Sequence, residues 1–307
     1  MASEAALAYN LGLEHELLRL LDRFERSGIP TVVLKGFPLA RRLGLPIHAR
    51  RMSDNDLLVR AADVRAAVEV LRASEYEECR AYPLEGSLRT NFQHPMGRRS
   101  AVGSFFVDVH WHALSPTHFH LSEAAVWENT ETVLLQGTAV RVLNPKFTLL
   151  HCAGHFVQST LNEERILVTL GAAWSRWREE VSVPELMVEA RAAGMRASLE
   201  YSLHAAAALG HTSHPLPVTE PRARLLELIV PAHRLAEPRL RPDYERRLLS
   251  WLLLDTEKAA TQLRRALLPP IAEVQSYLPE HGVRSVIAEY LARPGRILRR
   301  WSAQRRR

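Results

Sequence analysis

Cysteine is nearly absent from the 307-residue chain: Cys79 and Cys152 stand alone in unrelated surroundings. Two such residues exclude a disulfide-rich scaffold and any cysteine-based zinc motif, and they suit a reducing, cytoplasmic setting. No apolar run approaches the ~20 residues that a membrane span requires. The N-terminus MASEAALAYNLGLEHELL carries acids early and lacks a basic segment followed by an apolar one, so no signal peptide is expected. There is no internal repeat, and no low-complexity tract beyond the arginine-rich tail RPGRILRRWSAQRRR. Lysine is scarce too, standing only at positions 35, 146 and 258, so the positive charge is mostly arginine. A net charge of +6 with a pI near 9.7 is compatible with an anionic small molecule or a nucleic acid. Zinc fingers, RNA-recognition signatures and basic stripes with interleaved aromatics are missing, so nucleic acid is not an expected partner.

The residues that are present make an ordinary soluble globular composition, 47% hydrophobic and 24% charged, in a chain long enough for two domains. Leu13, Leu17, Leu18, Leu20, Leu21 and Phe24 recur at helical spacing until SGIP stops the pattern. TVVLKG then reads as a short strand over 31 to 35 closed by glycine, and FPLARRLG as one or two helical turns. After the loop LPIHARRMS come the strand DNDLLV and a helix marked by Val64, Ala67, Val68 and Leu71, extending to about residue 79. A connection punctuated by proline and glycine leads to the strand SFFVDVHWHAL. The texture changes near Asn144. Helical segments are expected at about 145 to 175, 183 to 210, 221 to 233, 243 to 267 and 283 to 302. The fold class is therefore α+β: an N-terminal domain over 1–143 with a short mixed sheet, then a helical domain over 144–307.

MSDNDLLV carries the first chemical signal. On a strand, Asp54 and Asp56 project from the same side, and their repulsion is relieved only by solvent or by a positive partner. Asp108, in FFVDVHWH, shares a face with His110. Pairing of this strand beside DNDLLV would bring three carboxylates together, a set suited to one or two Mg²⁺ ions completed by substrate phosphates. Such ions serve in-line displacement at phosphorus, so the reaction class is phosphoryl or nucleotidyl transfer. Gly36 permits close approach of a triphosphate, Ser53 can donate to a phosphate oxygen, and Lys35, Arg50 and Arg51 can supply positive charge. A blander reading leaves the acids solvated at a strand edge and the basic residues on a wet loop. A rival zinc reading rests on His110, His112, His118 and His120 in HWHALSPTHFH, whose spacing follows no standard zinc pattern. His151 and His155 stand four apart on an expected helix, but Cys152 occupies the place of the glutamate that a zinc protease would need.

VVLKG, then RRMSDNDLLV, then FFVDVHWHAL together resemble the uncharacterised bacterial nucleotidyltransferase family related to the polymerase β-type superfamily. The later stretches LNPKFTLLHCAGHFVQ and LLSWLLLDTEKAATQLRRALLPP are similar to that family's C-terminal half. The resemblance implies a polymerase β-type nucleotidyltransferase domain followed by a helical domain that forms the acceptor side of the cleft. It implies catalytic and metal-binding roles for Asp54, Asp56 and Asp108, and donor-binding roles for Lys35, Gly36, Arg51, Ser53 and His110. Two Mg²⁺ ions and an NTP co-substrate are the implied cofactors, with a small molecule or peptide as acceptor. The same site serving another phosphate or sugar-phosphate donor, and a degenerate nucleotide-binding protein, are the alternatives. Two departures stand out. Asn55 replaces an apolar residue that would bury behind the sheet, and Phe37 follows Gly36 where a small residue is common.

Overall fold

The structure is a computed structural model that describes residues 4–46, 52–79, 83–101, 103–235 and 243–271, with positions 274, 292 and 295. The chain divides into two compact units, residues 1–113 with 121–148, and residues 114–120 with 149–307.

In the first unit seven strands form one mixed sheet: β1 (Thr31–Val33), β2 (Asn55–Val59), β3 (Glu77–Glu78), β4 (Gln93–Ser100), β5 (Gly103–His110), β6 (Thr130–Leu135) and β7 (Thr138–Leu143). Their order is β3-β4-β5-β2-β1-β7-β6. β2 runs parallel to β5 and β1 parallel to β7, while the remaining neighbours are antiparallel.

Helices α1 (Glu4–Arg26) and α3 (Val64–Arg72) cover one face; α2 (Phe37–Arg42), α4 (Leu84–Thr90) and α5 (Glu123–Glu128) complete the unit. Tyr9, Leu13, Leu17, Leu20 and Phe24 lie on one stripe of α1 because they recur at three- and four-residue spacing, and all are buried. They pack with Val64, Val68 and Leu71 against Leu57, Val59, Val107 and Val109 of the sheet. Each buried leucine of α1 contributes roughly 2 kcal/mol. The opposite face buries Val32, Leu34 and Leu58 with Trp127, Leu143 and Phe147. Strand alternation thus assigns odd positions of β2 to the α1 face and even positions to the other, so Asp56 shares its face with Leu58.

The connection expected between residues 79 and 103 instead contains α4 and β4. Pro95 and Gly97 disguise the strand in QHPMGRRS; β3 spans only two residues, paired with Met96 and Gly97, and ends before Pro95, whose carbonyl still accepts from the Cys79 N–H at 3.2 Å. Glu77 lies exposed on β3 rather than on an outer helix, because α3 ends at Arg72 and Glu75 takes a left-handed φ of 67°. The hairpin of β6 and β7 turns at Gln136 and Gly137, with φ of 51° and 83°.

The second unit contains most of α6 (Pro145–Gln158), with α7 (Glu164–Trp177), α8 (Val183–Ala192), α9 (Arg196–Ala208), α10 (Pro221–Ile229), α11 (Asp243–Ser250) and α12 (Thr256–Leu267). Among the described residues no strand follows β7. The single helix expected over 145 to 175 breaks into α6 and α7, since Thr160 and Leu161 both take φ of 59°. The 183–210 segment breaks at Gly194, and Asp255 starts α12 afresh by accepting from the Lys258 backbone N–H at 2.8 Å. The helix expected over 283 to 302 lies outside the described residues apart from isolated positions. No described helix is long and apolar enough to cross a membrane.

Candidate metal centre

β2 and β5 pair in parallel with Asn55 opposite Val107, Asp56 opposite Asp108 and Leu58 opposite His110. Asp56 and Asp108 are therefore register neighbours, and parity puts His110 on their face. One ligand atom from each of Asp56, Asp108 and His110 lies within 4.8 Å of the others, the sole such group of three or more His, Cys, Asp or Glu among the described residues. Asp56 is 3% exposed and His110 5%.

Lys35, just beyond β1, supplies the positive charge that two aligned acids require. Its Nζ lies 3.0 Å from Asp56 Oδ2 and 3.8 Å from Asp54 Oδ1. His110 Nε2 meets Asp56 Oδ1 at 3.1 Å. Burial pushes the Asp56 carboxyl up, but Lys35 and His110 outweigh it and hold the group well below the usual carboxylate range. Asp108 behaves oppositely. Burial, with the charges of Asp56 and Asp54 added, pushes it up to about 6 against the pull of His110 and Lys35. On its other side Gln93, the first residue of β4, donates its amide N–H to Asp108 Oδ2 at 2.6 Å.

Asp54 stands apart from the close group. It precedes β2, pairs with Lys35 and accepts the Ser53 hydroxyl, so Ser53 faces a carboxylate as well as solvent. Gly36 takes φ 86° and ψ −137°, a conformation open essentially to glycine alone, and a Cβ built there would meet nothing within 4 Å. Open space therefore lies over the backbone that follows Lys35. Phe37 is fully buried beneath it and serves the core. Asn55 is buried as well; its amide donates to the Leu13 carbonyl at 3.4 Å, which accommodates a polar residue behind the sheet. Met52 N–H donates to Asn10 Oδ1 at 2.8 Å and anchors the chain entering β2 on α1. Arg50 and Arg51 lie outside the described residues.

The zinc reading finds no support. His110 and His112 belong to one unit and His118 and His120 to the other, where His120 pairs with Asp255 at 3.0 Å and His118 accepts from Gln262 at 3.1 Å. His151 and His155 stack ring on ring, 6.0 Å between centroids.

The donor set suits a divalent cation: two carboxylates and an imidazole, with Asp56 and His110 buried, Asp108 half-buried and His110 Nδ1 lacking a hydrogen-bond partner. A model of the family described as uncharacterised nucleotidyltransferase matches residues 1–211 of the chain. The chain belongs to this family. Membership supports transferase chemistry with a nucleotide as substrate, on residues that include the whole of the Asp56, Asp108 and His110 group. No curated protein matches the chain significantly. A solved antigenic nucleotidyltransferase-like protein from Paracoccidioides brasiliensis is similar to 64% of this chain over 92% of its own, at 11% identity and a TM-score of 0.34, a likeness that carries no argument.

Sequence reasoning missed Gln93. Its only signal would have been recognition of β4 as the strand beside Asp108, and Pro95 and Gly97 conceal that.

Proposed function

We propose that the protein transfers a nucleoside monophosphate from an NTP to a hydroxyl or phosphate acceptor and releases pyrophosphate. The observation that carries this reading is the β2–β5 register, which places Asp56 beside Asp108 with His110 next to them on one face. Mg²⁺, as two ions at full occupancy, would neutralise phosphate charge and activate the attacking oxygen. Asp54, Asp56 and Asp108 would hold it. Asp56 is ionised throughout the physiological range and needs no deprotonation to serve as a ligand. Asp108 is pushed up to about 6 while no cation is bound and would be lowered by one; it is the carboxylate that would take the acceptor's proton. His110 orients Asp56 through its Nε2 contact. Lys35, on a flexible stem, and Arg51 draw the triphosphate in by charge; Ser53 donates its hydroxyl to a phosphate oxygen, and the open space over Gly36 admits the phosphates to the backbone. The acceptor class favoured is a small molecule or peptide.

Incubation with each NTP, Mg²⁺ and candidate acceptors, read by mass shift and pyrophosphate release, tests the reading. A nucleotidylated product that disappears in chelator is expected. Metal-independent binding of NTP without turnover would sink it and leave a nucleotide-binding protein, and turnover of a sugar-phosphate donor alone would move the same site to another reaction.

A further inference from the structure

We infer that Gln93 is a positioning residue of this site, holding Asp108 so that one defined carboxylate oxygen meets the cation. The inference rests on the metal-binding reading above. Gln93 opens β4 and lies opposite His110 in the antiparallel β4–β5 ladder, while Pro95 lies opposite Asp108. From there its Nε2 reaches Asp108 Oδ2 at 2.6 Å, the short distance of a bond to a charged acceptor. An aspartate carboxylate turns easily about its last torsion, which is broad and roughly two-fold. Pinning Oδ2 by the amide removes that freedom and leaves Oδ1 as the uncommitted oxygen. Partners of this kind, hydrogen-bonded to a ligating carboxylate, orient it and tune its affinity for the ion.

The neighbouring residue reinforces the assignment. Phe92 sets its half-buried ring 5.7 Å from the His110 ring, tilted by 56°, so adjacent residues at the start of β4 each brace one member of the ligand group. An amide also suits the position electrostatically. A lysine there would compete with the cation, and a carboxylate would add a further negative charge beside Asp108 and leave Oδ2 without a donor.

Mn²⁺ binding to the full-length protein without nucleotide, followed by the loss of the free-ion resonance, tests the inference, with melting temperature in chelator as the folding control. Gln93→Met, similar in size, removes the donor and is expected to weaken Mn²⁺ binding by about 10- to 100-fold with little change in melting temperature. Gln93→Asn keeps the amide but is one methylene shorter, and is expected to match Gln93→Met because reach decides the contact. Should Gln93→Met fail to fold, Gln93→Asn decides. Binding within twofold of wild type in the folded Gln93 variants, with binding lost in Asp108→Asn, overturns the positioning role and leaves the metal site standing. Wild-type Mn²⁺ affinity in Asp108→Asn overturns both.

Discussion

Asp56 and Asp108 stand opposite each other in the parallel β2–β5 ladder, yet the protein drives their ionisation in opposite directions. Both are desolvated. Asp56 has Lys35 at 3.0 Å and His110 at 3.1 Å, whereas Asp108 has a neutral amide at 2.6 Å and the negative charge of its neighbour. One carboxylate is thereby kept permanently charged and its partner is left close to the protonation boundary. In the proposed reaction both would hold the cation, and the acid pushed toward its protonated form would also take the acceptor's proton.

The opposed shifts predict a pH-dependent stability difference for Asp108→Asn. The folded protein holds the Asp108 proton up to about pH 6, while the unfolded chain releases it near 3.8, so the folded state is progressively penalised as pH rises through that window. In chelator, Asp108→Asn should melt several degrees above wild type at pH 7.5, corresponding to a few kcal/mol, because each tenfold change in proton affinity is worth ~1.4 kcal/mol. At pH 4 the gain should vanish. Added Mn²⁺ should reverse the order by stabilising wild type alone. Equal melting temperatures at pH 7.5 would show that Asp108 is not strained by its charge.

Asp54 and Asp56 should separate in stability while agreeing in activity. Asp54→Asn removes one long, half-buried contact of Lys35 at 3.8 Å, while Lys35 keeps Asp56 at 3.0 Å, and should leave the melting temperature within a degree or two. Asp56→Asn removes a buried partner from both Lys35 and His110, and breaking a buried pair on one side typically costs about 3–5 kcal/mol. Both changes should lower nucleotide transfer by orders of magnitude, since each ~1.4 kcal/mol of lost charge stabilisation is tenfold in rate. Glu77→Gln, exposed on β3, should alter neither property. Full transfer activity in Asp54→Asn would remove that residue from the catalytic set.

The central strands were legible because β-branched and leucine-rich runs closed by glycine or serine have few other readings. The pairing of Asp56 with Asp108 then follows from parity once β2 and β5 are neighbours. β4 was not legible: proline and glycine inside QHPMGRRS argue against a strand in isolation, and only its neighbours explain it. Gln93 was lost with it. The break between α6 and α7 was hidden for a different reason, since Thr160 and Leu161 carry no local signal for the left-handed conformation they adopt. The partner of Asp54 depends on how far the Lys35 side chain reaches, which no spacing rule encodes.

Gly36→Ala should reveal whether the turn after β1 is held by backbone conformation or by crowding. Nothing lies within 4 Å of the added methyl, so the whole penalty is torsional, at φ 86° and ψ −137°. A cost of about 1–3 kcal/mol is expected, visible as a lower denaturation midpoint with an unchanged slope. Nucleotide affinity should fall with it, because relaxation of the turn displaces Lys35. A midpoint equal to wild type would show that the turn relaxes without strain.

In the helical unit, His118 predicts a second pH dependence, of opposite sign to that of Asp108. Burial lowers the ring to about 4, and Arg247 and Arg265 add to the shift. Gln262 Nε2 lies 3.1 Å from His118 Nδ1 and 3.0 Å from the Thr117 carbonyl, so the amide donates and Nδ1 must accept. A proton on Nδ1 would abolish that acceptor and place a cation near two guanidinium groups. The unfolded chain binds this proton near pH 6.5 and the folded protein only near 4, so stability is complete above about 6.5 and drains away as pH falls toward 4. The loss is on the order of 2–3 kcal/mol over that window. His118→Asn keeps an acceptor for Gln262 but cannot be protonated there. It should show a shallower fall in melting temperature between pH 6.5 and 4 than wild type does, at a small cost at pH 7.5 from lost packing. Parallel curves for the two proteins would mean that His118 takes up its proton as readily in the fold as in the unfolded chain, so that neither burial nor the Gln262 contact excludes it.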